Sequence, residues 1–88
     1  MNMANIYQTE LFAKIHKLHT TPMGINRIKR NLELTCEEPV AYCRNIIMDK
    51  DCFIYRNGKN WYCERNDIRI TINAYSFTII TAHKLTKK

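Results

Sequence analysis

The run Ile68-Arg69-Ile70-Thr71-Ile72-Asn73-Ala74-Tyr75-Ser76-Phe77-Thr78-Ile79-Ile80-Thr81-Ala82-His83-Lys84 decides the fold. Its opening alternates. Ile68, Ile70 and Ile72 point one way, and Arg69, Thr71 and Asn73 the other. Period 2 is the mark of a half-buried strand. A partner strand is predicted from about Ser76 to His83, joined by a two-residue loop at Ala74-Tyr75. That loop pairs Asn73 with Ser76 and Ile72 with Phe77. Phe77 and Ile79 then join the isoleucines on the core face, and Thr81 and His83 continue that face to its rim. Arg69, Thr71, Asn73, Ser76 and Thr78 gather on the other face. A slip of one residue would exchange the faces. Ile80 and Ala82 make the second strand apolar on both sides, which predicts an interior strand covered at least partly on its second face.

Upstream of this run, Cys52 to Arg56 alternates as another strand. Asn57-Gly58 follows, a strong short hairpin signal. Lys59 to Arg65 is the partner, with Trp61 and Cys63 on one face and Asn60, Tyr62 and Glu64 on the other. Asn66-Asp67 turns the chain into the final hairpin. Before the strands come three helical patterns. Tyr7, Leu11, Ile15 and Leu18 make an apolar stripe between about Asn5 and Leu18. His16 falls on its solvent side, and His19 near its apolar edge. Thr21 is a good N-cap with Pro22 at the first helical position, and Ile25, Ile28 and Leu32 face inward behind it. Thr35 with Glu38 reads as a capping box, Pro39 fits the first turn, and Val40, Cys43, Ile46 and Ile47 form the third stripe. The expectation is a single α+β domain over residues 1–88, three N-terminal helices packed on a four-stranded antiparallel sheet.

Fourteen Lys and Arg against eight Asp and Glu give a net charge of +6. That balance favours an anionic partner such as nucleic acid; the plainer alternative is a basic solvated surface. No segment approaches the roughly 20 apolar residues that cross a bilayer. Met1-Asn2-Met3-Ala4-Asn5 lacks a basic region followed by an apolar run, so a cytoplasmic location and no membrane partner are expected. The four cysteines, Cys36, Cys43, Cys52 and Cys63, include no Cys-x-x-Cys pair. Buried free thiols without zinc are expected from that spacing.

Carboxylates are scattered, with Asp49 and Asp51 a close pair in a predicted turn. A two-metal nuclease needs several converging on its ions, so neither a metal nor a cofactor is implied. RNA is cleaved without metal when its 2′-OH attacks the adjacent phosphate, one group taking a proton and another giving one. A cation steadies the charged transition state. His83, Lys59 and Lys84 are the candidates for that chemistry, because His transfers protons near neutral pH and Lys holds phosphate. The competing reading has His83 capping a sheet edge and the lysines solvated. Lys14, Lys17, Arg27 and Arg30 form the densest basic region and are candidates for docking the backbone, with Tyr62 for stacking on a base. His19 reads as structural, and Trp61 as core.

His19-Thr20-Thr21, Arg27-Ile28-Lys29-Arg30-Asn31-Leu32, Gly58-Lys59-Asn60-Trp61-Tyr62 and Ile70 through Lys84 together resemble a family of small bacterial proteins, mostly from Firmicutes, classed as a domain of unknown function. The resemblance implies a family context and no activity. A looser, architectural one is to ribonuclease toxins of the RelE and barnase–colicin type, carried by helices before a small sheet and by the terminal His83-Lys84. The expected function is that of a small basic RNA-directed protein, toxin-like in architecture, with metal-independent RNA cleavage as its activity. The alternative is a non-catalytic module that binds nucleic acid or a protein partner, or an accessory subunit offering a strand edge to another chain.

Overall fold

Two tight turns set the sheet. In the computed structural model, which describes residues 6–35 and 38–85 and side chains from residue 10 on, Gly58 takes a φ of 64°. The loop between paired Asn57 and Asn60 is Gly58-Lys59, and glycine at its first position supplies the positive φ that such a turn demands. Asn66 and Asp67 both take positive φ, 53° and 63°, the requirement of the other favoured two-residue turn. Residue types that tolerate the left-handed region thus fix both registers.

The elements run α1 (Ile6–Ala13), a 3-10 turn (Ile15–Lys17), α2 (Pro22–Leu32), α3 (Pro39–Ile47), β1 (Phe53–Asn57), β2 (Asn60–Arg65), β3 (Ile68–Asn73) and β4 (Ile79–Lys84). The sheet is antiparallel throughout, in the order β1-β2-β3-β4. The α+β class and the four-stranded sheet expected from the alternation are present. The expectations for Asn5, for Cys36 and for the side chain of Tyr7 lie outside the described residues.

The β3–β4 connection departs from expectation. Ile72 pairs with Ile79, not Phe77, and the link is a wide loop instead of two residues. Asn73 builds it. Its side-chain oxygen accepts from the amides of Tyr75 and Ser76, each at 2.9 Å, and from Ser76 Oγ at 3.2 Å. Asn readily closes such a side-chain turn. Phe77 then sits at φ 61°, a strained value for a bulky residue. It is held by its amide bond to Asn73 O and by edge-on packing against Trp61, 5.2 Å between centroids.

Thr71 pairs with Thr81 while Ile72 pairs with Ile79, so Ile80 is an extra residue, a β-bulge. The bulge reverses side-chain parity along β4. Ile79 and Ala82 enter the core, and Thr81 and His83 move to the opposite face, beside Thr71 and Arg69. The sequence reading placed Thr81 and His83 on the core face; one inserted residue moves them off it. Nor is β4 interior. It is an edge strand, and Ile80 is 40% exposed.

That edge is covered by local chemistry. His19 donates its amide to Phe77 O at 3.1 Å and accepts from Ile79 N at 2.7 Å. Thr20 Oγ1 donates to Ile79 O at 2.9 Å, and Asn31 Nδ2 to Ala82 O at 3.2 Å. α2 therefore runs beside β4. Its start follows the sequence: Thr21 Oγ1 accepts from Gly24 N at 3.0 Å, and Pro22 opens the helix. Gly24 is needed because a Cβ there would collide with Thr20 Oγ1. α3 begins differently from the expected capping box. Glu38, not Thr35, precedes the first turn, without a side-chain cap. The residue before a proline is pushed out of helical geometry, so the helix starts at Pro39 itself.

Leu11, Leu18, Ile28, Leu32, Cys43 and Ile47 from the helical half meet Ile54, Trp61, Cys63, Ile70, Ile72, Ile79 and Ala82 in one core. Each fully buried isoleucine contributes about 1.5–3 kcal/mol. Cys43, Cys52 and Cys63 are buried within it. A hydrogen bond between Cys52 and Cys63, then burial, drives the Cys63 thiol strongly upward and keeps it protonated; the same bond lowers Cys52. Among the described residues no helix is long and apolar enough to cross a membrane.

Candidate nucleic-acid interface

All three helices feed the core on one side of the sheet, and no described element covers the other. Strand alternation fills that open face in transverse rows. One row reads Phe53, Glu64, Arg69 and His83 across the four strands. The next reads Tyr55, Tyr62, Thr71 and Thr81, and the last Asn57, Asn60 and Asn73.

The aromatic side chains on this face touch in series. Phe53 lies 5.3 Å from Tyr55, and Tyr55 stacks on Tyr62 at 5.4 Å. The Arg69 guanidinium sits 5.8 Å from the Tyr62 ring centre. Glu64 ties the cluster together: its Oε2 accepts from Tyr55 Oη and from Arg69 Nε, both at 2.9 Å. The bond to Glu64 raises the Tyr55 phenol above its ordinary value and raises Arg69 likewise. Phe53, 60% exposed, is an apolar ring at the rim with nothing described above it. A row of rings bordered by a cation, hydroxyls and amides can stack bases and hold phosphate.

The sequence-predicted residues divide into separate places. Tyr62 and His83 are on the open face, and His83 stands opposite Arg69. Lys84 follows His83 in the strand, so it points to the other face. Its Nζ is 3.3 Å from Glu33 Oε1 at the end of α2. Lys59 sits in the β1–β2 turn, at the end of the sheet away from His83. The sheet does not bring His83, Lys59 and Lys84 together. Arg27 and Arg30 are exposed on α2, the helix beside β4. Lys14 lies at a cleft on the helical side, and Lys17 is exposed in the 3-10 turn. His19 is structural, its Nε2 3.1 Å from Thr78 Oγ1 and its Nδ1 2.8 Å from Lys17 O.

Phe53, Tyr55, Glu64 and Arg69 are not among the candidate site residues expected from the sequence, although Glu64 and Arg69 fall on the non-core faces expected for their strands. The available signal was register: extending the Asn57-Gly58 and Asn66-Asp67 turns into pairs puts them beside Tyr62. At the Phe53 end of the face, a hollow of about 400 Å³ is lined partly by Asp51, Glu64, Arg65 and Asp67. Its charge is mainly negative, so phosphate is favoured nearer Arg69 and β4. Asp49 meets Arg65 Nε at 2.8 Å just outside, an ion pair lacking the alignment of a good hydrogen bond. Among the described residues no group of three or more His, Cys, Asp or Glu could hold a metal ion.

A family model described as a protein of unknown function, DUF3781, matches residues 12–83. No curated protein matches the chain, and no solved structure does.

Proposed function

The chain belongs to the DUF3781 family, whose description assigns no activity, and from its own surface we propose that it binds single-stranded RNA on the open face of its sheet. The observation that carries this reading is the continuous ring series Phe53, Tyr55 and Tyr62 with Arg69 against it. Bases stack on the rings; phosphates meet Arg69 and, past the β4 edge, Arg27 and Arg30 of α2. The net charge of +6 draws the chain in. Single strands suit the site because paired bases hide the faces that rings need. The test is titration of a fluorescent oligouridylate at several salt concentrations. Binding should weaken steeply with salt, with a slope of about 0.7 per phosphate neutralised. Unchanged binding by the double variant Tyr55→Ala, Tyr62→Ala sinks the proposal.

A specific row favours cleavage as a second reading. Glu64, Arg69 and His83 lie side by side on β2, β3 and β4. Both hydrogen bonds to Glu64 end on Oε2, leaving Oε1 open to a substrate hydroxyl. In this reading Glu64 takes the 2′-OH proton as that oxygen bonds to phosphorus. The bond to the 5′ oxygen breaks, and imidazolium His83 protonates the leaving oxygen. Arg69 steadies the phosphate, and the products are a 2′,3′-cyclic phosphate and a 5′-hydroxyl. Arg69 and Glu64 take the place that the sequence reading gave to Lys59 and Lys84. Cleavage must survive chelation and spare DNA. His83→Ala should slow it by about 10²–10⁴ while RNA binding persists.

A further inference from the structure

On the helical side, at the end of the sheet away from His83, a cleft of about 390 Å³ opens between α1 and the strands. Glu10 and Ala13 of α1 and Lys14 just after it form one wall, and Arg56, Trp61, Ala74 and Phe77 the other. We propose that this cleft is a binding site for a small acid with a flat apolar body, its carboxylate on Arg56 and Lys14 and its body against Trp61 and Phe77.

Four observations converge there. The volume falls in the range of small-ligand sites, and the walls mix apolar surface with few polar groups. Arg56 is pre-oriented at the wall. Its guanidinium is 5.8 Å from the Trp61 ring and 5.6 Å from the Tyr75 ring, and its Nε donates to Gly58 O at 2.9 Å. Among the described residues it has no carboxylate partner; its Nη2 reaches only the Tyr75 hydroxyl, at 3.5 Å, so its charge remains available to an anion at the terminal nitrogens. Trp61 is 4% exposed, and its indole N–H has no acceptor, a rare condition for a buried donor. Phe77, in the same wall, is held at a strained positive φ, as residues at binding sites often are.

Charge selects the ligand. Two cations, Arg56 and Lys14, face one anion, Glu10. A neutral body alone would leave Arg56 unused, and an amine would be repelled. This site is independent of the open face, which lies across the sheet.

Trp61 is the chain's one tryptophan, so its indole N–H resonance reports this wall alone. Titration with phenylacetate, phenylacetamide and phenethylamine compares three charges on one body. Phenylacetate should shift that resonance saturably, and the amide should bind about tenfold more weakly or worse. Arg56→Met should weaken phenylacetate by a similar factor. Lys14→Gln, at an exposed position between α1 and the 3-10 turn, should weaken it less and leave the melting temperature unchanged. If Arg56→Met unfolds, the Lys14 variant and the three-ligand comparison still decide. No saturable shift with phenylacetate, or equal binding of acid and amide, overturns the assignment.

Discussion

Arg69 and His83 stand directly opposite one another on β3 and β4, on the face of the sheet that no described helix covers. That pairing exists because Ile80 is looped out between Ile79 and Thr81. Deleting Ile80 should therefore leave a regular ladder in which Thr81 still pairs with Thr71 and His83 with Arg69, with Ile79 and Ala82 still in the core. The deletion variant should fold cooperatively, and Ile80→Thr should melt close to wild type. Thermal melts followed by circular dichroism check both.

Asn31 caps the carbonyl of Ala82 on the exposed edge of β4. Asn31→Ala should cost about 1 kcal/mol, the net worth of one hydrogen bond. For a domain of this size that is a fall of roughly 4–8 °C in melting temperature. Uncapped edges also pair with other chains, so light scattering should show the variant associating at concentrations where wild type does not.

Gly24 makes room for the hydroxyl of Thr20, which holds Ile79. Gly24→Ala would stabilise an ordinary exposed helix by roughly 0.5–1 kcal/mol. Here the added methyl displaces Thr20, and the sign should reverse. Chemical denaturation of Gly24→Ala, alone and with Thr20→Ala, separates the two effects. The double variant should be less destabilised than the sum of the single ones.

Asp49 accepts from the Asp51 amide at 2.8 Å and pairs with Arg65. These contacts, the amide first, hold its carboxyl below its ordinary value. A lowered folded value contributes stability that is full above the unfolded value, near pH 4, and is lost as pH falls through the folded one. Asp49→Ala should thus melt below wild type near neutral pH, and the gap should close as the solution is acidified below about pH 4.

The fold was legible where local chemistry dictates geometry. Gly58, Asn66-Asp67, Thr21-Pro22 and the alternation of Ile68, Ile70 and Ile72 announce their turns, cap and strand without tertiary help. The bulge at Ile80 was not legible, because Ile-Ile reads as a strand apolar on both faces. What selects the bulge is tertiary: the Asn73 turn, and His19 and Thr20 along the edge. The site followed the same division. Tyr62 could be placed by parity from Gly58, whereas His83 was assigned to the wrong face by a single residue. Arg69 and Glu64 become site residues only when three strands are aligned side by side.

The most direct test is amide and side-chain NMR mapping of the protein titrated with an oligouridylate at low salt. Binding on the open face predicts saturable shifts at Phe53, Tyr55, Tyr62, Arg69, Thr71, Thr81 and His83, with Ile28, Leu32 and Cys43 unmoved. Shifts confined to the helical side, or none at all at low ionic strength, would contradict it.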